Sequence, residues 1–180
     1  MKVLLHACCA NCAIIPLMRL KEAGLQSTGF FFNPNIHPYQ EYLRRRAAME
    51  TYAQRAGLEM IYEDHYDLEG FLRGVAFREH ERCRFCYHSR LEATARMAKE
   101  DGFDAFTTTL LYSKYQNHSL IKEMGEGLAE QFSVSFHYED FRKWWQDGIR
   151  ESKAIGLYRQ QYCGCIYSER ERYWRKGKER

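Results

Sequence analysis

Cysteine is the residue type in this chain best suited to chemistry, and it is gathered at three places: Cys8 and Cys9 with Cys12, Cys83 with Cys86, and Cys163 with Cys165. Cys83 and Cys86 stand three residues apart at the start of a predicted helix. That spacing puts them on one face, where they can hold two irons of a cluster or one zinc ion. The side chains of adjacent Cys8 and Cys9 are expected to diverge, which suits two irons a few ångströms apart better than one tetrahedral centre.

Four thiolates, from Cys8, Cys9, Cys83 and Cys86, would complete a [4Fe–4S] cubane. The competing reading is a four-cysteine zinc site that braces the fold, although a chain of this size has core enough without a metal staple. Cys12 is either a small buried hydrophobe or a ligand to a further metal beside the cluster. Cys163-Gly164-Cys165 differs in kind. Glycine tolerates the dihedrals of a small strained disulfide ring, and strained disulfides are reducible and tend to be catalytic. The alternative is that both are further metal ligands.

Other residues could assist. His37, in the stiff loop Asn33-Pro34-Asn35-Ile36-His37-Pro38, could donate a proton or bind metal, or simply bond to backbone. Arg44-Arg45-Arg46 reads as a solvated helix face with some scope for phosphate contact. Thr107, Thr108, Thr109 and Ser113 offer hydroxyls to a polar ligand, and Trp144 with Trp145 reads as core.

Short apolar runs alternating with helical patterns must position these groups, and they read as α/β. Strands are predicted at Val3 to Leu5, Thr28 to Phe32, Glu59 to Tyr62, Ala105 to Thr109 and Val134 to His137. Helices follow the first strand (apolar face Ile14, Leu17, Met18) and span Tyr39 to Ala56 and Arg82 to Lys99. Further helical patterns run from Gln116-Asn117 to Ala129 and along Phe141, Trp144, Trp145, Gly148 and Ile149. One parallel sheet with helices on both faces results. The loop after the first strand, His6 to Cys12, lacks the glycines that cradle phosphates and carries thiols instead.

The chain has 180 residues, enough for one domain, with 45% hydrophobic and 28% charged residues. No apolar run approaches the ~20 residues of a membrane span, and no signal peptide is evident, so the expected location is cytoplasmic and no membrane partner is expected. Seven cysteines there call for metal or redox work, and an odd number argues against a full set of structural disulfides. Net charge is +3, and the segment 166–180 alone carries an equal excess. It is read as a basic helical tail following a domain over 1–165, either solvated or leaning on a phosphate backbone through Tyr173 and Trp174.

Together, Leu4-Leu5-His6-Ala7-Cys8-Cys9-Ala10, the Asn33 to Pro38 loop, Glu81-Arg82-Cys83-Arg84-Phe85-Cys86-Tyr87, Phe106 to Leu111 and Leu157 to Cys165 resemble the QueH family of epoxyqueuosine reductases. The resemblance runs from the N-terminus to just before the basic tail. One departure is Asn11, where proline is expected; it could loosen the turn without removing a ligand.

The resemblance implies a Rossmann-like (HUP-like) sheet and the reductive removal of an epoxide oxygen from epoxyqueuosine in a tRNA anticodon loop. It implies a [4Fe–4S] cluster on Cys8, Cys9, Cys83 and Cys86, and dithiol–disulfide cycling of Cys163 and Cys165. A second mononuclear iron near Cys12, His37 as the proton donor and an electron donor of unspecified identity complete the expected mechanism. Two other readings stay open: a nucleotide-dependent tRNA thiolation enzyme of the ATP-pyrophosphatase type, and a zinc-braced RNA-binding module.

Overall fold

The computed structural model describes residues 1–174. Five parallel strands, β1 (Lys2–His6), β2 (Gln26–Phe31), β3 (Glu59–Tyr62), β4 (Ala105–Thr108) and β5 (Ser135–Phe136), form one sheet in the order β3-β2-β1-β4-β5. Alternation along β1 sends its side chains to two cores. Val3 and Leu5 pack with Ile14 and Leu17 of α1 (Ala10–Glu22) and Met49 of α2 (Tyr39–Ala56). Leu4 packs on the other face with Leu91 of α4 (Arg82–Glu100) and Ile121 and Leu128 of α5 (His118–Phe132). Each such fully buried side chain stabilises the fold by about 1.5–3 kcal/mol. The parallel sheet with helices on both faces is thus observed as expected. No helix of the described residues is long and apolar enough to cross a membrane.

Local chemistry sets the boundaries. Gly57, in the left-handed conformation at φ +61°, closes α2. Asn117 caps α5, its side-chain oxygen accepting from the Leu120 N–H at 3.2 Å, so that helix starts after the Gln116-Asn117 pair and runs on to Phe132. β2 begins at Gln26 because it pairs with β1 from Lys2 onward. β4 ends at Thr108, whose hydroxyl accepts from the Leu110 N–H and turns Thr109–Tyr112 into a short 3-10 helix. Met18, read as part of the apolar face of α1, is instead 38% exposed.

The short helix α3 (Leu68–Val75), absent from the sequence reading, is capped by Asp67 and packs on α4. Phe141–Trp144 forms a 3-10 turn that leads into α6 (Trp145–Ile155), which lies on α1. The last described helix, α7, spans Ile166–Tyr173. The rest of the basic tail, 175–180, lies outside the described residues.

Successive strands run outward from β1 through β2 to β3, and the chain then returns to the opposite side of β1 to add β4 and β5. Strand order therefore reverses between β1 and β4, and the crevice beyond their carboxyl ends is where such sheets bind ligands. The segments entering that crevice are residues 7–9 with the first turn of α1 after β1, and residues 109–116 after β4.

Candidate active site

The first loop is held from below. Buried His6 contacts the Thr108 hydroxyl at 2.9 Å and the Phe32 carbonyl at 3.2 Å. Burial pushes its pKa down to about 4, so it is neutral near pH 7. Thr109 ties β4 to Cys8 twice: its hydroxyl oxygen accepts from the Cys8 N–H at 2.9 Å, and its O–H donates to Cys8 Sγ at 3.2 Å. Cys9 takes the N-cap position of α1 and Cys12 lies in its first turns. The three thiols converge, with their Sγ atoms within 4.8 Å of one another and Cys8 and Cys9 at 3.9 Å.

Adjacent Cys8 and Cys9 were expected to diverge. Cys9 is extended, at φ −173°, and Cys8 is fixed by Thr109, which brings the two sulfurs together. A tetrahedral ion with bonds of about 2.3 Å holds its sulfurs roughly 3.8 Å apart, so the trio is spaced for metal binding. Its protons are shared unevenly. Hydrogen bonds from Cys12 and Cys8 push the Cys9 thiol well down, whereas bonds to Cys8 and Cys9 and burial push Cys12 well up.

Asn11 ties the loop rather than loosening it. Its amide donates to the Tyr158 carbonyl at 2.7 Å and to Gln160 Oε1 at 2.8 Å. Gln160 in turn donates from Nε2 to Cys9 Sγ at 3.0 Å.

The second pair sits on the first turns of α4, Cys83 exposed and Cys86 buried. Cys86 Sγ accepts from Arg90 Nη2 at 2.9 Å, and Arg90 Nε donates to the Cys86 carbonyl. Arg90 is 2% exposed and, among the described residues, has no carboxylate partner. A buried guanidinium needs a compensating negative charge. Burial works against its charge, and the groups near enough to offset that are Cys86, Cys8, Cys163 and Tyr87. Burial pushes the free Cys86 thiol up to about 12. Metal coordination deprotonates a thiol outright, so a thiolate-bound metal would supply the charge Arg90 lacks.

The third pair is clamped by a buried network. Arg45, in the middle of the arginine run of α2, is not solvated as expected. It is 2% exposed and pairs with buried Glu41 at 2.7 Å. It donates to the Cys163 and Tyr162 carbonyls at 2.7 and 2.9 Å, and the Tyr158 hydroxyl completes the network by donating to Glu41 Oε2 at 2.5 Å. Gly164 leaves room for this clamp: a Cβ there would stand 3.2 Å from Asn35 Nδ2 and 3.4 Å from Arg45 Nη1.

His37 faces the same turn. Its N–H donates to the Gly164 carbonyl at 2.8 Å, its Nε2 meets the Pro34 carbonyl at 3.2 Å, and its Nδ1 accepts from the Ile166 N–H at 3.4 Å. Burial lowers its pKa to about 4. Cys163 is exposed, with Gln116 Nε2 3.4 Å from its sulfur. Cys165 turns the other way, into an apolar cluster with Phe71, Val75 and Cys86.

Cys8, Cys12 and Cys163 open on one cleft of about 740 Å³ in the crevice between β1 and β4. Among the described residues, five cations line it (Arg45, Arg90, Lys114, Arg159 and Arg172) and no carboxylate does. Tyr112, Tyr115, Trp145 and Tyr162 add aromatic surface. Trp144 and Trp145, read as core, pack against it half-buried, and Trp145 lines the cleft. His37 does not line it. Arg90 and Gln160 were assigned no role from the sequence, and Arg45 was read only as part of a solvated helix face. Arg90 and Cys86 form an i, i+4 pair on α4, a spacing that could have signalled their contact.

The family model described as "Epoxyqueuosine reductase QueH" matches residues 3–171. Among relatives, the epoxyqueuosine reductase QueH of Dehalococcoides mccartyi is 38% identical over 172 residues, covering 96% of this chain and 94% of the relative. That of Thermotoga maritima is 36% identical over 179 residues, covering 94% and 91%. A solved structure described as a predicted subunit of tRNA methyltransferase from Methanocaldococcus jannaschii superposes with a TM-score of 0.52 over 87% of this chain and 89% of that one. At 13% identity that likeness concerns the fold alone. With the family model spanning almost all of the sequence and the relatives matched nearly end to end, this chain belongs to the QueH family of epoxyqueuosine reductases.

Proposed function

We propose that this protein removes the epoxide oxygen of epoxyqueuosine in the anticodon loop of tRNA, with Cys163 and Cys165 as the electron source. In the overall step both carbon–oxygen bonds of the epoxide break and a carbon–carbon double bond forms. The dithiol becomes a disulfide, and its two protons leave with the oxygen as water. An electron donor, a partner still to be identified, then returns the disulfide to the dithiol. The observation that carries this reading is the opening of Cys8, Cys12 and Cys163 on one cationic, aromatic cleft.

Cys8, Cys9 and Cys12 can hold a metal. We assign a [4Fe–4S] cluster to Cys8, Cys9, Cys83 and Cys86, with Cys12 available to an adjacent mononuclear iron. The carboxylate-free burial of Arg90 against Cys86 supports an anionic group there. Bound at that position, the cluster would supply electron transfer and a Lewis-acidic iron. Exposed Cys163 meets the substrate, and Cys165 closes the disulfide. His37, buried and bonded to backbone on both ring nitrogens, is better supported as a support for the Cys163–Cys165 turn than as the proton donor. The catalytic unit is read as 1–165, in the cytoplasm with its tRNA. The following segment contributes Arg172 to the cleft, which favours a phosphate-facing role over a purely solvated one.

The test is anaerobic purification after iron-replete expression, with iron, sulfide and zinc analysis and an assay on epoxyqueuosine-containing tRNA. About four irons with matching sulfide, and turnover, are expected. Zinc without sulfide or turnover would overturn the reductase assignment in favour of a zinc-braced RNA-binding module.

A further inference from the structure

The loop after β4 places three residues at the mouth of the cleft that the reduction itself does not require. Tyr112 is buried, and its ring lies 5.1 Å from that of Trp145 at 28°, with its hydroxyl donating to the Trp145 carbonyl at 3.0 Å. Tyr115 stands edge-on to Trp145, at 5.7 Å and 85°, and is 77% exposed. Lys114 Nζ lies 5.3 Å from the ring centroids of both Tyr115 and Trp145. Among the described residues Lys114 has no carboxylate partner.

We propose that this corner of Lys114, Tyr115 and Trp145 is a stacking site for a base next to the reacting nucleotide, with Lys114 on the phosphate between them. The proposal rests on the reading that the substrate is RNA, and adds that the protein recognises a stretch of RNA loop rather than a free nucleoside.

Three observations converge. Tyr115 offers its ring to solvent beside Trp145, and unstacked bases of RNA loops are held on such rings. An unpaired ammonium beside the rings meets the other half of a nucleotide, its phosphate. The position is also right. Gln116 reaches the sulfur of Cys163 and is the next residue after Tyr115. Lys114, Tyr115 and Trp145 line the same cleft as Cys163, so the corner borders the place where the reacting nucleotide would sit. Tyr112 stacks on Trp145 and bonds its carbonyl, so the Trp145 ring is held in place before any ligand arrives.

Holoenzyme would be titrated with an unmodified anticodon stem-loop RNA, wild type against Tyr115→Ala, Tyr115→Phe and Lys114→Ala. Tyr115→Ala should weaken binding about tenfold, near the low end of base–aromatic stacking, and Tyr115→Phe should restore it. Lys114→Ala should reduce the slope of log Kd against log salt by about 0.7, the value for one phosphate contact on a single strand. In turnover, Tyr115→Ala should raise KM for the modified stem-loop with kcat within about twofold, and the free modified nucleoside should be at least about tenfold poorer than the stem-loop in kcat/KM.

Unchanged RNA affinity in Tyr115→Ala would overturn the stacking site, as would equal use of nucleoside and stem-loop. Because binding is read without turnover, Tyr115-dependent affinity in a protein that reduces neither substrate would support the stacking site and sink the reductase reading separately.

Discussion

Arg45 and Cys163 lie 118 residues apart in sequence and 2.7 Å apart in space, guanidinium Nη1 to carbonyl oxygen. Arg45 also holds the neighbouring Tyr162 carbonyl, and its charge is balanced by Glu41. Arginine spans Glu41 and the two carbonyls with a rigid planar fork, a geometry that the compact ammonium of lysine does not reproduce. Arg45→Met should destabilise the protein by about 3–5 kcal/mol by leaving Glu41 buried without its cation. Arg45→Lys should keep most of that stability while loosening the turn. Urea denaturation measures the first effect. Faster alkylation of Cys165 in the lysine variant measures the second.

If Cys163 and Cys165 are the redox pair, replacing either thiol separates that role from metal binding. Cys163→Ser and Cys165→Ser should each lower turnover by at least about 100-fold while iron and sulfide content stay at the wild-type level. Loss of iron in either variant would make that cysteine a ligand instead. Exposed Cys163 should also react first with iodoacetamide, ahead of buried Cys165.

Acid should loosen the same turn through His37. Its folded pKa, about 4, lies below the ordinary value of 6.5, so folding favours the neutral ring. The stability this contributes is complete above pH 6.5 and is lost as pH falls from 6.5 toward 4. In Gln variants of His37 the urea midpoint should fall less steeply across that window than in wild type.

The wall of the cleft has no room at Gly148. A Cβ there would lie 2.2 Å from the Tyr112 hydroxyl and 2.9 Å from Ile15 Cγ1. Gly148→Ala should therefore cost about 1–3 kcal/mol, the range for overpacking, and weaken RNA binding by displacing Tyr112 from beneath Trp145. Thermal melting and the stem-loop titration read the two effects.

Asn11→Pro tests the hydrogen-bond chain from α1 to Cys9. Proline is tolerated in the first turn of a helix, so the fold should survive. Gln160 loses its anchor, and Cys9 its amide donor. Hydrogen bonds to cluster sulfurs tune the potential, so with the proposed cluster bound the variant should have a more negative midpoint by spectroelectrochemistry.

These sites differ in how far they could be read from sequence. The helix Tyr39–Ala56 and the strand Glu59–Tyr62 were legible to the residue, because periodicity and the Gly57 cap are local signals. Helix α3 was missed although Asp67 caps it and Phe71 and Val75 sit four apart, since eight residues give barely two turns of pattern. The cysteines announced themselves by spacing. The grouping of Cys12 with Cys8 and Cys9 was legible too, but not that Cys165 turns away from Cys163 to lie with Cys86. Arg45 looked like surface because its partners, Tyr162 and Cys163, are more than 100 residues away. Long-range contacts of that kind leave no local trace.

The wall formed by residues 157–172 brings a temporal consequence. During synthesis, Cys8, Cys9 and Cys12 emerge first and Cys83 and Cys86 near the midpoint. Gln160, Cys163 and Arg172 are the last parts of the site to leave the ribosome. Until then the thiols lack the Gln160 amide on Cys9 and the Cys163 turn that Arg45 clamps. Metal delivered to the nascent chain would meet an unguarded site, and metal delivered afterwards would have to pass through the finished cleft. The order of the chain thus sets a window for loading, which opens with β1 and narrows as α7 docks.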